Sequence, residues 1–570
     1  MEATSDQQKG TAVDTWTKVP VGLQAARWRT IQPKRTVLVV VHTVTTATRL
    51  LDVLPIFESD LRVQVVFTTP GHSAVSAGVD TVLADLGAAV IPWTQALHSE
   101  FDLAIAAAHS GNLHEINAPV VLLSHGIGYT KNSPGNRQPA TGNRQPATGN
   151  RATYGLSPQW LLHDGQPYAA AIALPHSADL ARLAEAVPQA VDSAVVVGDP
   201  CHDRIIASAG HRDRFRRAFG VTRGQRLIVV SSTWWERSLF GTWPEFFRQL
   251  LAELDLDRDR VAAVMHPHVW YAHGHVQLRS WLADCQRAGL ILVPPLEGWR
   301  AALIAADCVV GDHGAVTTYA TALDKPLALA AFPAEDVAAG TPVELLGRNA
   351  PRLHAGHSLA DQIERTIADF RPGQWKDLAE MITSAPGAAL RRLRATAYRL
   401  MELDEPAADP PLHLLPVPST SDRPGVTATY VTGTMTGNRI QLVRRPADVY
   451  SGLPLAAQPP QAAHLVCHAD HPVRALVDNA DIVFCHAEDL TGSVEDALDR
   501  LRAAHPGSFA TAVVGGGRCF VRTREKTVAI DVPAPFPAEA AVSALWFDTA
   551  RDGVTVSAGD LSCQLILRDL

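Results

Sequence analysis

Residues 305–330 read AADCVVGDHGAVTTYATALDKPLALA. Cys308 to Val310 is a short apolar strand, and Gly311-Asp312-His313-Gly314 turns it at once into a helix of small and apolar residues that carries Thr317, Thr318 and Tyr319. Asp324-Lys325-Pro326 ends that helix, and Leu327 to Ala330 reads as the next strand. Two buried strands joined through a helix lie parallel with a right-handed crossover, so this stretch places the chain in the α/β class.

The same alternation extends backwards. Ala194 to Val197, Leu227 to Ser231, Val261 to Met265 and Leu290 to Val293 are apolar strand-like runs, and Pro244 to Leu254 (PEFFRQLLAEL) has the spacing of an amphipathic helix. An earlier block repeats the pattern. Thr36 to Val41 (TVLVVV) is a continuous β-branched run of the kind buried on both faces of a parallel sheet, followed by Val63 to Thr68, Ala89 to Pro92, Leu103 to Ala107 and Val120 to Ser124. The expectation is two Rossmann-like domains, 34–190 and 191–403, facing a cleft whose ligand sits outside the carboxyl ends of the strands. Residues 1–33 read as a flexible tail, 404–425 as a Pro-rich linker and 426–570 as an α+β accessory domain. A heptapeptide, GNRQPAT, occurs at 135–141 and 142–148 and continues as GNRATYG, an insert over 134–155 that reads as a duplicated surface loop without coiled-coil character.

At 570 residues the chain is long enough for several domains. Its 50 Lys and Arg stand against 58 Asp and Glu, a net charge of −8, which excludes nucleic-acid binding by bulk positive charge. The 7 cysteines are an odd number, dispersed and without a CxxC, which fits a reducing cytoplasm better than a disulfide framework. No signal peptide and no apolar run long enough to span a bilayer is legible, which leaves peripheral contact with the inner face of the membrane open.

Candidate chemistry falls in the loops after strands. Ser124-His125-Gly126 follows VVLLS, and a His at a strand end before Gly can project into a cleft as a general base. His266 and His268 flank a Pro that fixes the turn after VAAVM. Ser231 and Thr233 offer hydroxyls at the same edge, unless they only cap the next helix. Asp312, His313 and Gly314, with Thr317 and Thr318 beyond, form a strand-to-helix turn whose free amides suit a phosphate. The histidines near His266 lack a carboxylate and a zinc-type spacing, so no metal is expected. Asp255-Leu256-Asp257 looks like a metal-binding DxD but reads as a solvated charged turn. Cys467-His468 and Cys485-His486 are adjacent pairs that point to opposite faces of a strand, and Gly515-Gly516-Gly517 reads as a hairpin turn.

Taken in order, SHG (124–126), GDPCHDRI (198–205), VVSSTWW (229–235), MHPH (265–268) and residues 305–330 resemble the CDP-glycerol glycerophosphotransferase family of teichoic-acid polymerases and primases. The resemblance covers about residues 36–370 and implies a GT-B architecture. It also implies transfer of a glycerol-phosphate unit from a CDP-linked donor to a hydroxyl of a cell-wall or lipid-linked polymer. By matched position His125 would take the acceptor proton, His266 would stabilise or protonate phosphate, and Gly314 to Thr318 would hold the diphosphate. Gly126, Ser231, Thr233, His268, Asp312 and His313 complete the expected nucleotide site, with cationic His in place of a metal and no cofactor besides the nucleotide-activated substrate. The family's Asp-Tyr-Ser-Ser is Asp312-His313-Gly314-Ala315 here, so Thr317 or Thr318 would supply the missing hydroxyls. A UDP-sugar glycosyltransferase or epimerase, and a non-catalytic nucleotide-binding or scaffold protein, are the alternatives.

Overall fold

The computed structural model describes residues 16–22, 24–71, 76–124, 126–132, 152–419, 425–450, 459–547 and 553–569. His125 and most of the heptapeptide insert lie outside the described residues.

Continuous apolar runs become central strands because both faces are covered. Val37 to Val40 are fully buried in the strand Arg35–Val40, the second of a six-stranded sheet. Its spatial order is Val63–Thr68, Arg35–Val40, Leu103–Ala106, Val120–Leu123, Ala171–Leu174 and Ala194–Val196, all parallel. Two expectations change here. Ala89 to Pro92 makes only an isolated bridge at Val90, since Pro92 already opens the helix Trp93–Leu97. Ala194–Val196 closes the first sheet, paired with Ala171–Leu174, where the sequence reading had opened the second domain with it.

The second sheet has five parallel strands in the order Ile291–Leu292, Asp259–Met265, Arg226–Ser232, Cys308–Gly311 and Leu327–Leu329. The domain boundary is not a single cut in sequence. The helix Ala389–Leu400 crosses back, burying Leu390, Leu393, Ala397 and Tyr398 in the core that holds Val37 and Val39.

The supposed tail is docked from residue 16 onward: the Gln95 side chain exchanges two 2.8 Å hydrogen bonds with the Thr17 backbone, and Ala25 is buried. The Pro-rich linker is likewise seated. Arg62 donates to the Asp404 carbonyl, Arg204 to that of His413, and Leu415 is buried in the second domain's core.

Beyond it stands a ten-stranded mixed sheet that runs from Leu561–Gln564 at one edge to Ile566–Asp569 at the other. Its anchor is the Asp255–Asp259 turn. Arg444 grips Asp257 with two nitrogens at 2.7 and 2.8 Å, and Tyr450 donates to the Ala252 carbonyl at 2.7 Å. The Asp255-Leu256-Asp257 stretch is therefore an inter-domain seat and not solvated surface, and burial pushes the Asp255 carboxyl up to about 6. No helix among the described residues is long and apolar enough to cross a membrane.

Candidate functional site

Loops at the carboxyl ends of both parallel sheets converge on one cavity of about 860 Å³ between the first two domains. This is where an open α/β sheet exposes backbone and side chains to a ligand. Of the residues nominated from sequence, Gly126, Ser231, Thr233, His266, His268, His313 and Gly314 line it. His125, between Ser124 and Gly126, is outside the described residues.

His266 caps the helix Pro267–His273: its Nδ1 accepts the His268 amide at 3.1 Å. Its Nε2 lies 3.4 Å from the Thr45 hydroxyl, which belongs to the first domain, so this imidazole is held where the two domains meet. His268 packs edge-on against Trp234, with ring centroids 4.3 Å apart. Burial, then the nearby His273, lowers the His268 pKa; burial also lowers that of His313, against the opposing field of Asp312. Both imidazoles are therefore neutral at neutral pH, which corrects the expectation that cationic His holds the phosphates at these two positions.

Asp312 does other work than expected. It is fully buried and outside the cavity lining. Its Oδ2 accepts from the Thr233 amide and hydroxyl, both at 2.7 Å, and from the Leu239 amide at 3.1 Å, while Oδ1 accepts from the Gly314 amide at 3.1 Å. The carboxylate thus bolts the Thr233–Leu239 loop to the start of the helix Ala315–Ala322. That loop presents Trp235 at the cavity, stacked on Trp234 at 5.0 Å and left-handed at φ +84°. Gly314 suits the close approach, since a Cβ there would lie 2.6 Å from Thr233 Cγ2.

Thr317 and Thr318 are also corrected. Both are fully buried and turned from the cavity: Thr317 packs against Gly311, and the Thr318 hydroxyl donates back to the Gly314 carbonyl at 3.1 Å. At this end of the cavity the helix offers Ala315 and Val316, with the first-turn amides behind them.

Several residues that sequence reasoning missed are central. Arg49 is buried where the domains meet and donates to Asp199 at 2.5 Å, to the Tyr319 hydroxyl at 2.9 Å and to the Gly126 carbonyl. Burial raises the Asp199 carboxyl, but the Arg49 charge and the Tyr319 hydrogen bond outweigh it and hold the group below the usual range. Beside this network Asp52 bridges Arg204 and Arg300, each at 2.5 Å. His42 and His109 follow strands of the first sheet and line the same cavity. Among the described residues no cluster of three or more His, Cys, Asp or Glu is placed to hold a metal ion.

The chain is similar to the wall teichoic acid polymerase TagF. The match is 10% identical and covers 65% of this chain and 90% of that one, with a TM-score of 0.43. The Anabaena protein Alr3699/HepE, solved in complex with UDP-glucose, matches at 12% identity over 64% of this chain and 95% of its own, with a TM-score of 0.35. A glycosyltransferase from Rickettsia africae ESF-5 matches at 12% identity and a TM-score of 0.32, covering 65% of this chain and 96% of its own. No family profile matches the sequence, and no curated protein matches it.

Proposed function

We propose that the chain is a GT-B-type transferase that moves a glycerol-phosphate or related polyol-phosphate unit from a CDP-linked donor to a hydroxyl of a polymer or lipid-linked acceptor. The observation that carries this reading is the convergence, in one inter-domain cavity, of His266, the Ser231–Thr233 edge and the start of the helix Ala315–Ala322. A diphosphate at that helix start meets the first-turn amides and the positive end of the helix dipole. The Gly314 amide is already taken by Asp312, so the amides beyond it carry the contact.

His266, fixed through Nδ1 and with Nε2 toward the cleft, stabilises or protonates the phosphate oxygens as the donor bond breaks. His125 takes the acceptor proton; Arg49, by holding the Gly126 carbonyl, fixes the neighbouring turn. With Thr317 and Thr318 inward and the Thr233 hydroxyl given to Asp312, Ser231 is the nominated hydroxyl left at the donor end of the cavity.

The test is thermal stabilisation by CDP-glycerol, CDP-ribitol and UDP-sugars, followed by identification of the released nucleotide. A ligand at about 100 times its Kd adds about 2.7 kcal/mol to the folded state. Stabilisation by CDP compounds with release of CMP supports the proposal. Stabilisation by UDP compounds alone would replace the donor with a UDP-sugar, and no response to any nucleotide would favour a non-catalytic role.

A further inference from the structure

The amino end of the second sheet, opposite the cavity, gathers positive charge that the fold does not neutralise. Asp307, the residue before the strand Cys308–Gly311, accepts from Arg212 at 2.6 Å through Oδ1 and from Arg216 through Oδ2. Oδ2 also takes the Leu227 amide at 2.8 Å, so both oxygens of this carboxylate are engaged. The guanidiniums hold carbonyls as well, Arg212 that of Ala306 at 3.4 Å, and Arg216 those of Ala305 at 3.3 Å and Gln225 at 2.7 Å. Both arginines come from the helix Arg212–Ala218, whose exposed Arg214 and Arg217 make no ion pair among the described residues and share the helix with one acid, Asp213.

Lys325 brings a third cation to this carboxylate. Its backbone is clamped: the Lys325 carbonyl accepts the Trp375 indole at 2.8 Å, the preceding Asp324 accepts the Gly373 amide at 2.8 Å, and Pro326 follows. The side chain is half-buried, yet its ammonium makes no hydrogen bond and no ion pair among the described residues, and it opens to solvent. Burial and then the field of Arg212 outweigh the attraction of Asp307 and hold the ammonium down at about 8. The fold thus makes no bond that calls for this charge. A partly desolvated, unpaired cation beside two guanidiniums costs free energy that a bound anion returns. The cluster lies at the far end of the helix Ala315–Ala322 from the cavity, about 12 Å of helix away.

We propose that Lys325, with Arg212 and Arg216, forms an anion site separate from the cleft that binds a phosphate dianion, free or as the end of a small phosphomonoester. Asp307 answers one of the three positive charges, and Asp324 acts on Lys325 more weakly than Asp307 does, which leaves positive charge enough for a dianion. The ammonium is a compact donor of three protons and the guanidiniums present planar N–H edges, a set that suits the three terminal oxygens of a phosphate. A phosphodiester has a single charge and two substituents that hold it away from a half-buried ammonium, so a polymer backbone does not fit. This site does not depend on the transferase reading, since none of its residues lines the cavity.

The experiment uses the full chain, acetylated at limiting reagent, with Lys325 read by peptide mass spectrometry and the exposed Lys376 as internal reference. The probes are inorganic phosphate, glycerol 3-phosphate, dimethyl phosphate and sodium chloride, all at one ionic strength. Inorganic phosphate or glycerol 3-phosphate slows acetylation of Lys325 and not of Lys376, whereas dimethyl phosphate and chloride spare neither. Tighter binding of the first identifies the free ion and of the second a monoester, and either supports the site. Arg212→Gln, which keeps the reporter lysine, moves the midpoint of protection about tenfold higher, the effect of one lost charge-assisted hydrogen bond. Lys325→Met, which removes an unpaired charge and keeps the fold by circular dichroism, weakens phosphate binding in calorimetry at least as much. No protection of Lys325 by either dianion, equal protection by dimethyl phosphate or chloride, or unchanged phosphate affinity in Lys325→Met overturns the proposal. Protection of Lys325 by phosphate in a chain that responds to no nucleotide refutes the transferase reading and leaves this site standing.

Discussion

Asp312→Asn separates two roles that the sequence could not. The side chain keeps its shape but exchanges one acceptor oxygen for an NH2 donor. The least disruptive placement turns that NH2 toward Gly314, which keeps the acceptor for Thr233 and Leu239 but sets two donors face to face at a contact now 3.1 Å long. One buried amide then goes unsatisfied, at a cost of about 1–3 kcal/mol, and the remaining bonds lose their charge assistance, so a local loss of about 2–3 kcal/mol is expected. Spread over the Thr233–Leu239 loop, that raises the local opening constant about 30- to 160-fold. Hydrogen exchange read on peptides covering residues 233–241 measures it directly, and Trp234–Trp235 fluorescence follows the loop's release. Unchanged protection over this loop, with nucleotide binding lost, would refute the structural role and return Asp312 to the ligand.

Arg444→Ala leaves Asp257 in a nearly closed contact without its partner, with side-chain exposures of 9% and 7% in the pair, and loosens the accessory domain by about 3–5 kcal/mol; limited proteolysis and small-angle scattering register the detachment. His464 is fully buried, stacks on Trp546 at 5.0 Å and has its pKa lowered by burial to about 4. Because the folded pKa is below the unfolded 6.5, the neutral ring's stability is complete above pH 6.5 and is lost as pH falls from there toward 4. The loss is about 3 kcal/mol at most, seen as acid-sensitive Trp546 fluorescence in urea titrations and flattened in His464→Gln. His266→Ala lowers the rate of nucleotide release about 100-fold or more with a small change in KM, as removal of a group acting on the transition state does.

What the sequence showed and what it hid follow from how local each feature is. Thr36 to Val41 and Cys308 to Val310 were legible as strands because burial on both faces leaves an unbroken apolar run. Ala171–Leu174 was missed: it is short and has a single β-branched residue, so only its pairing to two neighbours makes it a strand. Sheet membership is less local still. Ala194–Val196 could end one sheet or begin the next, and the choice is made by contacts with residues 172–174.

The loops after strands were the right place to look, because that rule depends only on topology. Side-chain direction at a turn does not, so Asp312 and Thr317 were read outward when tertiary packing turns them in. His42 and His109 were within reach: each closely follows an apolar strand, as His266 does. Arg49 gave no signal, since an Arg in a helix gains its role only from Asp199 and Tyr319, far away in the chain.

The net charge of −8 sharpens the electrostatic problem, because the strongest cations of the cleft are already committed. Arg49 from the first domain bonds Tyr319 of the second, and Asp52 of the first holds Arg300 of the second, with every one of these side chains buried. These contacts tie the two walls together at the floor of the cleft. On the proposed reading, an anionic donor draws its stabilisation from dipoles that need no counter-charge, the amides at the start of the helix Ala315–Ala322, whose first turn Asp312 fixes through the Gly314 amide. Pre-set dipoles favour charge developing in a transition state over charge spread on a free nucleotide, which is the requirement for turnover and not merely for binding.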